Sequence, residues 1–295
     1  MNQCKTYFQV VHESALRLQE AGCDPAGAQF VFLQRKGWNQ LKWLLNMHHP
    51  ISEADYEQIL RDAKSLLKHL PPQYLLGVAE FFGRRFKVTK DTLIPRSETE
   101  ELVQFALQKG IHHLPLKVID IGVGSGVIAL TLALECPNWQ VMGVDISEEA
   151  LEVARENANL LEAEIRFAQG DVLDPFKGER FDIIISNPPY IAYDEWNIVD
   201  KCVREYEPEK ALFADENGLA VYLKIAKQAP KLLKKSGILL LEIGYKQAVV
   251  VSQMMREAFA NKREVKILKD MSGKPRIVYI KREEKYDADS TTTGP

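Results

Sequence analysis

Asn187-Pro188-Pro189-Tyr190 closes the apolar run Phe181-Asp182-Ile183-Ile184-Ile185-Ser186 and joins three groups with useful chemistry. An amide oxygen, a rigid backbone carbonyl and an aromatic ring fall together where a strand must stop. The prolines alone account for the stop, because neither has an N–H to give to a sheet ladder. Asn187 and Tyr190 on either side turn that stop into a receptor for a planar –NH2 group. The Asn187 side-chain oxygen and the Pro188 carbonyl can accept its two hydrogens, and Tyr190 can hold the flat group by stacking. Open α/β sheets bind ligands at this carboxyl edge.

A second constellation lies upstream. Gly122-Val123-Gly124-Ser125-Gly126 follows the apolar strand Lys117–Ile121, and glycines there let a ligand approach the backbone closely. Asp145 ends the next strand, where a carboxylate can accept both hydroxyls of a ribose. Asp171, at the end of the third strand, is a candidate adenine contact. Together these residues indicate a nucleoside-containing cofactor and leave a nicotinamide dinucleotide open. The alternating glycines, with Val127 after them, are not the Gly-x-Gly-x-x-Gly of dinucleotide sites. Asn187 to Tyr190 discriminates: a dehydrogenase has no use for it, whereas an amino-group methyltransferase does. An amide or aromatic –NH2 is a poor nucleophile because its lone pair is delocalised. Accepting both hydrogens favours a pyramidal nitrogen and frees the lone pair for in-line attack on a sulfonium methyl. The proton can leave after transfer, so no strong general base is required.

The elements that position these residues follow from periodicity. Lys117 to Ile280 alternates strands and helices, which implies a mostly parallel, doubly wound sheet. Before it, Phe8, Val11, Ala15 and Leu18, then Phe30 to Leu33, then Trp38, Leu41, Leu44 and Leu45, then Tyr56 to Leu70 form apolar stripes. They read as a small helical bundle, with Ser52 capping its last helix. Phe81 to Val88 suggests a hairpin. Ser97 and Glu100 have capping-box spacing at the start of a helix through Leu107. The expected organisation is a helical recognition domain over 1–72, a hairpin linker over 73–95, the α/β domain over 96–283 and a disordered tail over 284–295.

Composition excludes several classes. Of 295 residues 46% are hydrophobic and 27% charged, with a net charge of -3 and a pI of about 6.1. The acidic balance and the lack of a basic, aromatic-interleaved insertion argue against direct nucleic-acid binding. No apolar run approaches the ~20 residues of a membrane span. Cys4, Cys23, Cys136 and Cys202 form no CxxC pair, which fits reduced thiols and a cytoplasmic protein. His48-His49 and His112-His113 are sequence neighbours that point different ways on a helix, so no metal site is expected.

Tyr74-Leu75-Leu76-Gly77, Glu80-Phe81-Phe82-Gly83, Ile94-Pro95-Arg96-Ser97-Glu98-Thr99-Glu100 and Asp120-Ile121-Gly122-Val123-Gly124-Ser125-Gly126 extend the pattern. So do Asn187-Pro188-Pro189-Tyr190-Ile191, Glu207-Pro208-x-x-Ala211-Leu212, Leu241-Glu242-Ile243-Gly244 and Asp270-x-x-Gly273-Lys274-Pro275-Arg276. Over about residues 5–282 the chain thereby resembles the HemK/PrmC family of protein-(glutamine N5) methyltransferases, which modify peptide-chain release factors. The commonest form of the helix-start motif has Pro where this chain has Ser97. The stretch Leu212 to Gly218 lacks a glycine often found there.

The resemblance implies an S-adenosylmethionine-dependent enzyme. Its fold would be the seven-stranded, Rossmann-like methyltransferase sheet with a reversed final hairpin, preceded by a small all-α domain. Its substrate would be the glutamine of the Gly-Gly-Gln loop of release factors, a role in translation termination. Gly122, Val123, Gly124, Ser125, Gly126 and Asp145 would bind the cofactor, with Val172 beside the adenine. Asn187, Pro188, Pro189 and Tyr190 would grip the substrate glutamine. Two rivals stand beside this reading. One is amino methylation of a nucleic-acid base, at adenine N6 or guanine N2. The other is a non-catalytic cofactor-binding partner of the translation machinery, against which the intact Asn187 argues.

Overall fold

The computed structural model describes residues 5–110 and 112–282, so the tail expected over 284–295 lies outside the described residues. Two compact units divide the chain. The first runs to Ile94 and also takes in Trp196–Glu209; the second comprises Pro95–Glu195 and Lys210 onward.

In the first unit, helices α1 (Tyr7–Glu20), α2 (Ala26–Lys36), α3 (Gln40–Asn46) and α4 (Glu53–Leu66) precede the short α5 (Pro72–Leu76). Thr6 and Gln9 form a reciprocal capping box on α1, and the Ser52 hydroxyl accepts from the Asp55 N–H on α4. Val10, Val11, Phe32, Trp43 and Ile59 make the core. The stripe expected on α3 points the other way in part: Trp43 is buried, whereas Leu41, Leu44 and Leu45 are 65%, 55% and 69% exposed. A seven-residue helix has too few turns to bury more than one side.

Strands β1 (Val78–Phe81) and β2 (Arg84–Lys87) form the hairpin. Phe82 and Gly83 both take positive φ, which matches the twist of a two-residue turn to its strands. The excursion with α9 (Lys201–Tyr206) belongs to this unit, although sequence order put it inside the α/β domain. The Tyr206 hydroxyl donates to the Lys68 carbonyl, and Glu207 accepts from the Ile94 N–H in a buried setting.

The second unit begins with α6 (Ser97–Lys109), then β3 (Lys117–Ile121), α7 (Val127–Glu135), β4 (Gln140–Asp145), α8 (Glu148–Leu160), β5 (Arg166–Gln169) and β6 (Phe181–Ser186). After α10 (Glu209–Leu212) and the single turn α11 (Asp215–Gly218) come α12 (Ala220–Leu232), β7 (Leu233–Glu242), α13 (Ala248–Ala258), β8 (Arg263–Lys269) and β9 (Pro275–Arg282). The seven strands lie in the order β5-β4-β3-β6-β7-β9-β8. Every pair from β5 to β7 is parallel, and β9 runs antiparallel to both neighbours. This is the expected seven-stranded Rossmann-like sheet with its reversed final hairpin.

Central strand β6 explains its three isoleucines. Ile184 packs with Ile119, Leu239 and Val278 under α12 and α13. Ile183 and Ile185 point to the opposite face, as does Asp120, which accepts from the Ala129 N–H of α7. A strand covered on both faces must be apolar throughout. Each fully buried Ile contributes about 2 kcal/mol of apolar burial.

The chain order reverses between β4 and β6 on either side of β3, and this switch point opens a crevice at the carboxyl edge. Register aligns the residues at the strand ends. Ile121 pairs with Ser186 and Ser186 with Leu241, so Gly122 and Asn187 leave the sheet level with Glu242, the last residue of β7. Phe181 is fully buried and meets Phe176 edge-on. Phe181→Ala is expected to cost about 3–5 kcal/mol, read as a lower urea midpoint for the sheet unit.

Candidate functional site

The glycine turn is shaped by backbone geometry. Gly122, Gly124 and Gly126 have φ of 74°, 53° and 88°, which disfavours any residue with a Cβ. A Cβ on Gly122 would meet nothing within 4 Å, so this backbone faces open space that a ligand can enter. The N–H groups of Gly122 and Val123 donate to the Val144 carbonyl at 2.8 and 3.1 Å, tying the turn to β4. Val123 and Ser125 turn their side chains inward and are buried.

Asp145 is joined to the same turn. Its Oδ2 accepts from the Gly124 N–H at 2.9 Å and its Oδ1 from the Ser147 N–H at 3.0 Å. Each oxygen keeps a further lone pair for an incoming hydroxyl. Burial raises the Asp145 pKa, and the backbone N–H groups of Ser147, Gly124 and Ile146 oppose that rise. Asp120 lies deeper. Burial pushes it up to about 8, Oδ2 accepts from Ala129, and Oδ1 has no hydrogen-bond partner among the described residues. An unpartnered buried oxygen is costly unless a cation or donor meets it.

The third strand's residues are arranged differently from one another. The Asp171 Oδ2 is held by Lys224 at 2.7 Å on the surface. Val172 is buried in the apolar cluster with Leu173 and Phe176, and its own φ is 55°. Pairing with Lys224 is a feature that the adenine expectation did not include.

At the end of β6, Ser186 donates to the Ile121 carbonyl at 2.7 Å and holds the last residue in the sheet. Asn187 then donates from Nδ2 to Thr99 Oγ1 at 3.0 Å, and Thr99 donates to Glu242 Oε2 at 2.8 Å. The Asn187 Oδ1 has no donor among the described residues. The Tyr190 carbonyl accepts from Gln247 Nε2 at 2.9 Å, while Gln247 Oε1 accepts from the Gly244 N–H. Burial pushes the Tyr190 phenol up to about 12, with the Glu242 charge adding to the rise. Tyr190 is therefore neutral near pH 7 and is no base.

The stretch Leu212 to Gly218 braces this turn. The Ile191 N–H donates to the Leu212 carbonyl and the Ala214 N–H to the Ile191 carbonyl. Glu216, Asn217 and Gly218 all take positive φ. A Cβ on Gly218 would lie 2.2 Å from the Tyr190 carbonyl oxygen, so only glycine fits there.

The structure thus brings Gly122 to Gly126, Asp145 and Asn187 to Tyr190 to one edge. It also corrects the reading of the helix start. Arg96 is the N-cap residue of α6 and makes no side-chain cap; Ser97 is already helical and bonds Glu98. Ser97 and Glu100 are no capping box. Between them Thr99 is only 3% exposed and turns inward to Asn187 and Glu242. Thr99, Glu242, Gln247 and Asp120 were not singled out from sequence. For Glu242 and Asp120 a signal existed, an acid inside an otherwise apolar strand; Thr99 stood within the helix-start motif without a role of its own, and Gln247 had no signal.

Residues 9–77 match the family described as the PrmC N-terminal domain, and residues 112–286 match the one described as a methyltransferase domain. A release factor glutamine methyltransferase of Enterococcus faecalis is 44% identical over 273 residues, covering 92% of this chain and 98% of its own. The Bacillus subtilis protein of the same name is 40% identical over 280 residues, covering 93% and 97%. Among solved structures, a methyltransferase from Pyrococcus furiosus superposes with a TM-score of 0.50 at 19% identity, over 68% of this chain and 90% of that one. That likeness shows the methyltransferase fold alone. Identity of this degree along nearly the whole length of both curated relatives is decisive: the chain belongs to the release factor glutamine methyltransferase family.

Proposed function

We propose that the protein methylates N5 of the glutamine in the Gly-Gly-Gln motif of peptide-chain release factors. The observation that carries the reading is the Asn187 amide, held by Thr99 through its Nδ2 so that Oδ1 is left for an acceptor. The methyl donor is S-adenosylmethionine. When bound, it supplies an electrophilic methyl on a sulfonium sulfur that departs as a neutral thioether.

Three observations fit that donor: open backbone at Gly122, spare lone pairs on Asp145, and the unpartnered Asp120 oxygen, which suits a cationic ligand. We assign Gly122, Val123, Gly124, Ser125, Gly126 and Asp145 to holding it, Asp145 at the ribose. Val172 belongs beside the adenine. Asp171, whose Oδ2 is taken by Lys224, keeps Oδ1 for an adenine amine.

Asn187 Oδ1 and the Pro188 carbonyl accept the two hydrogens of the substrate amide, and Pro189 keeps the backbone rigid. Tyr190 packs on the flat amide. Held in this way, the amide nitrogen would keep its lone pair free for the donor's methyl group, and the surplus proton would pass to water. The neutral Tyr190 phenol fits a step that needs no base. We assign release-factor recognition to the helical unit, where Leu41, Leu44 and Leu45 stand exposed on α3. No described helix is long and apolar enough to cross a membrane. A cytoplasmic site of action and no direct nucleic-acid binding follow from that substrate.

Mass spectrometry of the Gly-Gly-Gln peptide, after incubating release factor with protein and S-adenosylmethionine, should show one added methyl on the glutamine. Label only on a nucleic-acid base would overturn the proposal. Asn187→Ala should keep cofactor affinity and lose most turnover, by about 10²–10³-fold, the scale of one lost transition-state hydrogen bond; a near-normal rate removes its assigned role. Asp145→Ala should weaken cofactor binding by about 1.5–3 kcal/mol. Titration calorimetry giving an unchanged Kd would refute the ribose assignment.

A further inference from the structure

Asn187 can serve as an acceptor only in one of its two amide orientations. The ends of an amide are nearly the same size, so packing does not choose between them, but Nδ2 has no lone pair to offer. A flipped Asn187 would set its own N–H groups against those of the substrate. What chooses is the chain of hydrogen bonds behind it. Glu242 as a carboxylate can only accept, so the Thr99 hydroxyl hydrogen must point at Oε2. Thr99 Oγ1 then has only a lone pair left, and Asn187 must answer with Nδ2, as observed at 3.0 Å. Neither Thr99 nor Glu242 is required by the helix start or the strand. Both are nearly solvent-free, at 3% and 2% exposure, where polar groups persist only with a partner.

We infer that Thr99 and Glu242 are positioning residues which, through this chain, lock the Asn187 amide with Oδ1 toward the acceptor nitrogen. The inference rests on the glutamine-methylation reading above for its consequence in catalysis, although the lock itself belongs to the free protein.

The lock depends on charge. Burial is the main influence on Glu242 and raises it; the Thr99 hydroxyl and the cations Arg276 and Arg96 oppose the rise, and Glu98 adds to it. The result is about 7. From the remaining elements, Tyr190 and Tyr222 face it as neutral phenols, both raised by burial, with Tyr222 donating to the Glu242 backbone carbonyl. Asp270 holds Arg276 at 3.2 Å. Above pH 7 the carboxylate fixes the direction of the chain. Below it the protonated carboxyl can donate to Thr99, whose hydrogen is then free to turn to Asn187 and permit the flip.

The test uses the full chain with Thr99→Val, Thr99→Ser and Glu242→Gln. Thr99→Val should lower kcat by about 100-fold, the scale of a misplaced reacting group, with KM for release factor and Kd for S-adenosylmethionine within about 2-fold. Thr99→Ser, which keeps the hydroxyl, should recover most of the rate. Wild-type kcat should fall as pH drops through about 7, and Glu242→Gln should lack that limb. A Thr99→Val enzyme of normal kcat, a Thr99→Ser enzyme as poor as Thr99→Val, or losses shared equally by Kd would overturn the inference in favour of a merely structural role.

A second readout needs no substrate. The Asn187 side-chain amide signals in 15N spectra, identified by their loss in Asn187→Ala, should shift with pH near 7 and stop doing so in Thr99→Val. Signals indifferent to pH in the wild type would overturn the lock whatever the acceptor. A pH-dependent shift with no methyl transfer to release factor would support the lock and overturn the glutamine reading alone.

Discussion

Strand β6 pairs in parallel with β3 on one side and β7 on the other, and the register of those ladders sets the site. Ser186 stands opposite both Ile121 and Leu241, so the next residue on each strand emerges at the same height. Those residues are a glycine, an asparagine and a glutamate: Gly122, Asn187 and Glu242. A slip of one residue would send every side chain of the strand to the other face. The polar residues that flank the three isoleucines prevent it, because both faces of β6 are covered and a slip would take Asp182 and Asn187 from their partners. The same pairing that fixes the strand therefore aligns the chemistry at its edge.

Polar groups at that edge carry a cost that the core does not. Asp120 and Glu242 are buried carboxyls raised to about 8 and about 7 by desolvation. Each is held by few partners, and Asp120 has one oxygen without any among the described residues. A sheet designed for stability alone would have apolar residues in both places. Their retention at the ends of β3 and β7, next to the glycine turn and to Asn187, fits groups kept for what they do to a ligand or a neighbour.

Much of the fold and site was legible in the chain itself. The Gly-x-Gly-x-Gly turn, Asp145, and the Asn-Pro-Pro-Tyr stop are local signals: each states its backbone geometry or its donors and acceptors within a few residues. Strand and helix alternation is equally local, and it led to the sheet. What misled was also local. Ser97 and Glu100 have the spacing of a capping box, but the helix starts one residue earlier than that box requires, and the residue between them that matters faces inward. The stripe Leu41, Leu44 and Leu45 has helical period yet meets solvent, because period reports a face and not what covers it.

Sequence by itself determined the sheet, the cofactor-type turn and the identity of the amide at the strand end. These depend on periodicity, on glycine's freedom at positive φ and on proline's missing N–H, all properties of neighbouring residues. Tertiary structure alone decided that Trp196–Glu209 joins the first unit, that a Cβ on Gly218 would stand 2.2 Å from the Tyr190 carbonyl oxygen, and that Thr99 and Glu242 stand behind Asn187. Thr99 is 88 residues from Asn187 and 143 from Glu242 in the chain. Hydrogen bonds across such separations exist only after the sheet has paired, and no spacing rule reaches that far.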